Sequence, residues 1–145
     1  GVPGWTSRFF GVARNGNTYA VAGSQGDGPV LDATLNRYAF YDVFAATLDA
    51  SPAPMPSTSR LLTTTAGQDI NSIGFGVEYS GNGRVLVGAV IDCGEQPGVP
   101  GQCGRFAPSG QGEGRVFALN PNTLGTLVST SLGSGFGEPL MVAWL

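Results

Sequence analysis

The residues able to do acid–base or nucleophilic chemistry are few, and the missing types narrow the field more than those present. The chain has no His and no Lys; all seven cations are Arg. No imidazole can act as a base or metal ligand near neutral pH, and no amine can form a Schiff base. Serine and threonine hydroxyls therefore have no partner to activate them. Catalysis would fall to carboxylates, of which the candidates are Asp27, Asp32, Asp42, Asp92, Glu95 and Glu113. A carboxylate pair at suitable separation hydrolyses glycosides. However, Asp27 and Asp92 occupy equivalent places in an internal repeat, which suits a turn role better than an acid and base pair. Neither acidic stretch has the alternating Asp spacing of a calcium loop. The expectation is no catalytic residue, no metal site and no cofactor.

Two further groups could bind. Trp5, Tyr19, Tyr38, Tyr41, Tyr79 and Trp144 include rings able to stack on sugars, with Asp27 and Asp92 as acidic neighbours, although such rings more often fill a core. Ser57, Thr58 and Ser59 sit in the Pro- and Ser/Thr-rich residues 51–65, which read as an O-glycosylated or extended linker, or as an unmodified surface loop. No Asn-x-Ser/Thr sequon occurs.

Cys93 and Cys103 flank a Gly/Pro-rich loop. A bridge closing about ten residues would stabilise by roughly 2–3 kcal/mol in the loop-entropy picture. It would also place the chain outside the cytosol, at an extracellular or cell-surface location. Two free thiols are the alternative.

Ten carboxylates against seven Arg give a net charge of −3. The cations are dispersed, so a nucleic-acid partner is not expected. No apolar run reaches the roughly 18 residues that span a bilayer. Residues 1–20 lack a signal-peptide pattern, and any targeting segment is expected to have been removed.

The elements that must position these residues are strands. Charged residues make up 12% of the chain, while 24 Gly and 10 Pro are spread along it, which implies frequent turns and short strands. Sliding the chain by 65 residues aligns Ser7 with Ser72, Phe10-Gly11-Val12 with Phe75-Gly76-Val77, Gly16-Asn17 with Gly81-Asn82, Gly23 with Gly88, and Asp27 with Asp92. That is eight identities in 21 positions, where composition alone gives about two. Val43-Phe44-Ala45 matches Val116-Phe117-Ala118 at a spacing of 73. A third Gly-Phe-Gly, centred on Phe136, opens a last apolar segment. Phe10, Phe75, Phe136, Phe44 and Phe117 are the expected core of the repeat.

These readings give one all-β domain, residues 1–145, built of two repeats of three or four antiparallel strands (about 5–66 and 70–132) plus a strand at 135–145. The order Phe-Gly-Val, a Gly-Asn turn, then a short apolar strand ending in Gly23-Ser24 or Gly88-Ala89 resembles the FG-GAP repeat of integrin α-type β-propellers. The resemblance implies propeller-like blades, without the family's Asp-rich calcium loop, since the turns read Arg14-Asn-Gly-Asn17 and Ser80-Gly-Asn-Gly83. A β-sandwich is the alternative. Propellers usually close with four or more blades, so exposed strand edges at Phe10 and at residues 140–145 are expected to recruit like units or further copies.

The function expected is therefore a non-enzymatic extracellular structural or adhesive protein, a homo-oligomer or filament subunit. A glycan-binding, lectin-like domain is the first alternative, and a carboxylate-dependent glycoside hydrolase the second.

Overall fold

A computed structural model describes residues 7–26, 41–49, 56–63, 72–91 and 112–134. The fold is all-β. Among the described residues eight strands form two four-stranded antiparallel sheets, each an up-and-down meander. The first contains β1 (Ser7–Asn15), β2 (Thr18–Gly26), β3 (Tyr41–Asp49) and β4 (Pro56–Leu61); the second contains β5 (Ile73–Tyr79), β6 (Val85–Ile91), β7 (Glu113–Leu119) and β8 (Thr126–Ser134). Among the described residues no helix is long and apolar enough to cross a membrane.

Local sequence explains the hairpins. Gly16 and Asn17 turn β1 into β2, with Gly16 in the left-handed region at φ 57°. In the second sheet the turn has one more residue. Ser80 and Arg84 close it through Ser80 N–H to Arg84 C=O (2.9 Å) and Arg84 N–H to Ser80 Oγ (3.0 Å), and Gly83 takes φ 79°. The extra residue with a left-handed glycine is the usual three-residue hairpin solution. Between β7 and β8, Asn120 Oδ1 accepts from the N–H groups of Asn122 and Thr123, an Asx turn that frees Leu124 to adopt φ 54°. Leu124 therefore sits in the turn, and β8 begins at Thr126.

The two sheets pack through alternate residues of their inner strands. The first sheet contributes Ala13, Ala20, Ala22, Val43 and Ala45. The second answers with Val77, Tyr79, Val85, Val87, Ala89, Ile91, Phe117 and Leu119, joined by Leu124 from the turn. Small side chains thus face large ones, so the sheets come close. β5 lies across β1, β2 and β3. A Cβ on Gly11 would meet Phe75 O at 3.0 Å and Val77 Cγ1 at 3.1 Å; one on Gly74 would meet Gly23 O at 2.9 Å and Val43 Cγ1 at 3.0 Å. A second, smaller cluster lies on the opposite side of the first sheet, with Val21, Phe44 and Ala46 backed by Leu48 and Leu61.

The two sheets share an irregularity. The ladder β1–β2 shifts between Phe9 and Gly11, and β5–β6 shifts between Gly74 and Gly76, so Phe10 and Phe75 are both bulge residues, 65 positions apart. Their sidedness differs. The cross-strand pair Val12–Val21 faces away from the other sheet, whereas the matching pair Val77–Val87 lies in the intersheet core. Val12 is 67% exposed and Val77 only 7%. In the frame of the repeat, the sheets stack front to back.

Two expectations need correcting. Phe44 and Phe117 are not counterparts. Val21 pairs with Ala46 and Val87 with Phe117, so the ladders align Phe117 with Ala46 and Phe44 with Arg115. The longer second hairpin turn and the unequal connection before β7 shift the pairing from the identity match. The Ser/Thr-rich stretch is not simply a linker either, because residues 56–61 form the edge strand β4 on β3. Pro56 stands at its first position, where a missing N–H is tolerated. One boundary also moves: the second sheet continues to Ser134, past residue 132. The expected strand at 135–145 lies outside the described residues.

The glycine junction gives a direct test. Gly74→Val and, separately, Gly11→Val should each destabilise the fold by about 1–3 kcal/mol through overpacking against backbone atoms, read as a lower midpoint in chemical denaturation. Gly16→Ala, where the space is open but φ is positive, reports the smaller cost of the turn alone.

Candidate functional site

The structure places the candidate residues unevenly. Trp5, Asp27, Asp92, Cys93, Cys103, Phe136 and Trp144 lie outside the described residues. Asp32, Tyr38 and Glu95 do so as well.

The described carboxylates have structural employment. Asp42, on β3, is buried; its Oδ1 accepts from Thr63 Oγ1 at 2.8 Å, and Thr63 Oγ1 in turn accepts from the Val43 N–H at 3.0 Å. This chain of bonds ties the residues after β4 back to β3. Glu113, on β7, is partly exposed and forms an ion pair with Arg115, whose Nε donates to Glu113 Oε1 at 3.1 Å. The Ser131 hydroxyl, then the Arg115 guanidinium, hold the Glu113 carboxyl below the ordinary glutamate range. Arg115 also donates to Ser129 Oγ at 3.2 Å. The trio Glu113, Arg115 and Ser131 thus stitches β7 to β8. Among the described residues no three His, Cys, Asp or Glu side chains group as a metal site.

The aromatic candidates are similarly committed. Tyr79 is buried in the intersheet core, where burial pushes its hydroxyl pKa up, and among the described residues the hydroxyl has no hydrogen-bond partner. Tyr19 carries the Arg14 guanidinium over its ring at 5.7 Å. Phe10 and Phe75 meet across the sheets with ring centroids 5.4 Å apart. Phe10 is nonetheless 46% exposed, so it is a flank of the junction and not part of the expected core, because the bulge swings it toward the open side. Phe44 is buried against Phe9 at 5.6 Å, and Phe117 is buried in the main core. On β4, Thr58 Oγ1 donates to Asn122 O at 3.1 Å, which ties the first sheet to the β7–β8 turn, while Ser59 is exposed. Ser57 lies on the same strand.

What these residues leave open is the outer edges. β1 presents Phe9, Phe10 and Val12, all exposed. β8 is exposed along its whole length and presents Leu127, Val128 and Leu132. Among the described residues β8 pairs only with β7. The edge at β1 was expected; that at β8 was not. Its signal in the sequence is a nine-residue run, Thr-Leu-Val-Ser-Thr-Ser-Leu-Gly-Ser, with neither charge nor proline.

No protein-family model matches the chain, and no curated protein is similar to it.

The Glu113 contacts set a pH expectation. By NMR, its carboxyl should titrate below the ordinary glutamate value, and Ser131→Ala should move the midpoint up toward that value. The sign follows from linkage: the depressed carboxylate contributes stability above the unfolded-state value and loses it as pH falls through the folded one. An unchanged midpoint in Ser131→Ala would show that the Ser131 contact is not formed.

Proposed function

We propose that the chain is a non-enzymatic extracellular structural or adhesive module that assembles with like units through its strand edges. The observation that carries this reading is the pair of edges left unpaired among the described residues, above all β8, where nine consecutive residues are exposed without a charge or proline to deter pairing. Soluble proteins ordinarily blunt such an edge or use it. The described carboxylates support the non-enzymatic part, since Asp42 and Glu113 are each held by neighbours in roles that fasten strands.

Two meanders bulged at positions 65 apart, and stacked so that matching faces point the same way, favour a propeller-like reading over a two-fold sandwich. A two-fold sandwich would bring matching faces together. A duplicated unit stacked this way leaves an outer face and an edge at either end, and like units would satisfy them. The extracellular location rests on the pairing expected from the sequence for Cys93 and Cys103, which lie outside the described residues.

Light scattering over a range of concentrations tests the reading. Particle mass should rise above the 14.8 kDa of one chain as concentration increases, and Val12→Lys combined with Val128→Lys, one charge on each outer edge, should lower it. A single chain mass at every concentration would overturn the proposal.

A further inference from the structure

We propose that β8 is a two-fold pairing strand, joining a second copy of this chain antiparallel with Thr130 on the axis. This deepens the assembly reading above and rests on it, since it names one edge, one partner and one register.

The four sheet edges are not equivalent. β1 carries Arg8 and Arg14, β4 carries Pro56 and Arg60, and β5 lies against the first sheet. Lysine or arginine, proline and burial are the devices that keep an edge from pairing. β8 has none of them. Among the described residues its only protection is a pair of register shifts, at Leu127 and at Leu132, which leave residues 128–131 as the regular span.

The side chains of β8 identify the partner. Read outward from Thr130 in the two directions, the strand is nearly palindromic in chemistry. Ser129 mirrors Ser131, Val128 mirrors Leu132, and Thr126 mirrors Ser134; only Leu127 and Gly133 differ in kind. Antiparallel pairing of two copies about Thr130 therefore sets Thr130 against Thr130 of the second copy, hydroxyl against hydroxyl at the next positions, and aliphatic against aliphatic beyond. Like pairs of these types are those that stabilise antiparallel ladders. Moving the axis by half a residue would set Leu127 opposite Leu132 but Val128 against a serine. No ion on β8 opposes self-pairing, because the strand has none. Val128 and Leu132 are each about half exposed, at 50% and 49%, so both are available to a partner strand. The interface is isologous: each copy gives and receives the same residues, and the contact closes on itself. It would join two four-stranded sheets into one of eight.

The test is the mass of the particle by analytical ultracentrifugation, for the chain and three variants, with circular dichroism as the check on folding. The wild type should show a monomer–dimer equilibrium. Thr130→Arg places two like charges directly across the axis and should weaken dimerisation on the order of tenfold or more. Val128→Lys with Leu132→Lys should do the same. Val128→Glu with Leu132→Lys sets opposite charges across the axis and should dimerise at least tenfold more tightly than the double Lys variant. That rescue depends on the register, since within one strand the two positions are too far apart to pair. If instead assembly persists in all three β8 variants and yields to Val12→Lys on β1, the β8 proposal fails while edge assembly stands. A monomer at every concentration overturns both.

Discussion

The interaction on which the structure depends is the close approach of β5 to the first sheet. Gly11 and Gly74 leave no room for a Cβ there, and the alanines at 13, 20, 22 and 45 give the larger valines and Phe117 of the second sheet somewhere to go. Dispersion is steep in distance, so a junction of small against large side chains gains contact that two rows of medium ones would lose. Without it, two four-stranded meanders have only modest faces, and neither would order its bulges against the other. The Phe10–Phe75 contact depends on this approach, because each ring is turned out of its ladder by a bulge beside one of these glycine sequences.

The same junction fixes how the sheets are oriented. Because the Val12–Val21 pair faces away while Val77–Val87 faces in, the rule that brings the second sheet onto the first does not return to its start. Stacking of this kind is open. Edge pairing of identical strands is closed, since antiparallel ladders between copies have a two-fold axis. With the proposed β8 pairing, a chain with both devices would have a direction inside each unit and a symmetric joint between units.

Much of the fold was legible in the sequence, and the reasons are local. The Gly-Asn turns, the Phe-Gly-Val bulges and the apolar strands after them each carry their own chemistry, so eight identities at one spacing were enough to find two similar hairpins. Register was not legible. The Val-Phe-Ala identity aligned Phe44 with Phe117, but ladder pairing is set by turn length, and one extra turn residue at 80–84 with an unequal connection moved the match to Ala46. Nor was β4, where Pro-Ser-Thr-Ser-Arg-Leu reads as linker until β3 supplies a ladder and Leu61 finds Phe44. Of the candidate site, the partners of the described carboxylates were not legible: Thr63 for Asp42 and Ser131 for Glu113 lie about 20 residues away. No short window could show them.

The β8 edge was missed for a different reason: hydrophobic pattern marks a strand but not its place in the sheet. The run Thr126–Ser134 alternates too weakly to declare a buried face, and its serines look like turn residues. Only the topology, which among the described residues ends the second meander there, turns those serines and threonines into a row of exposed hydrogen-bonding side chains around a few aliphatic ones. That composition is what an edge needs to remain soluble alone and still pair with its own kind. A more apolar strand would seek any hydrophobic partner, and a charged one would reject its own copy. The uncharged, hydroxyl-rich chemistry of β8 lies between these limits, and its near-mirror order favours one register over the others.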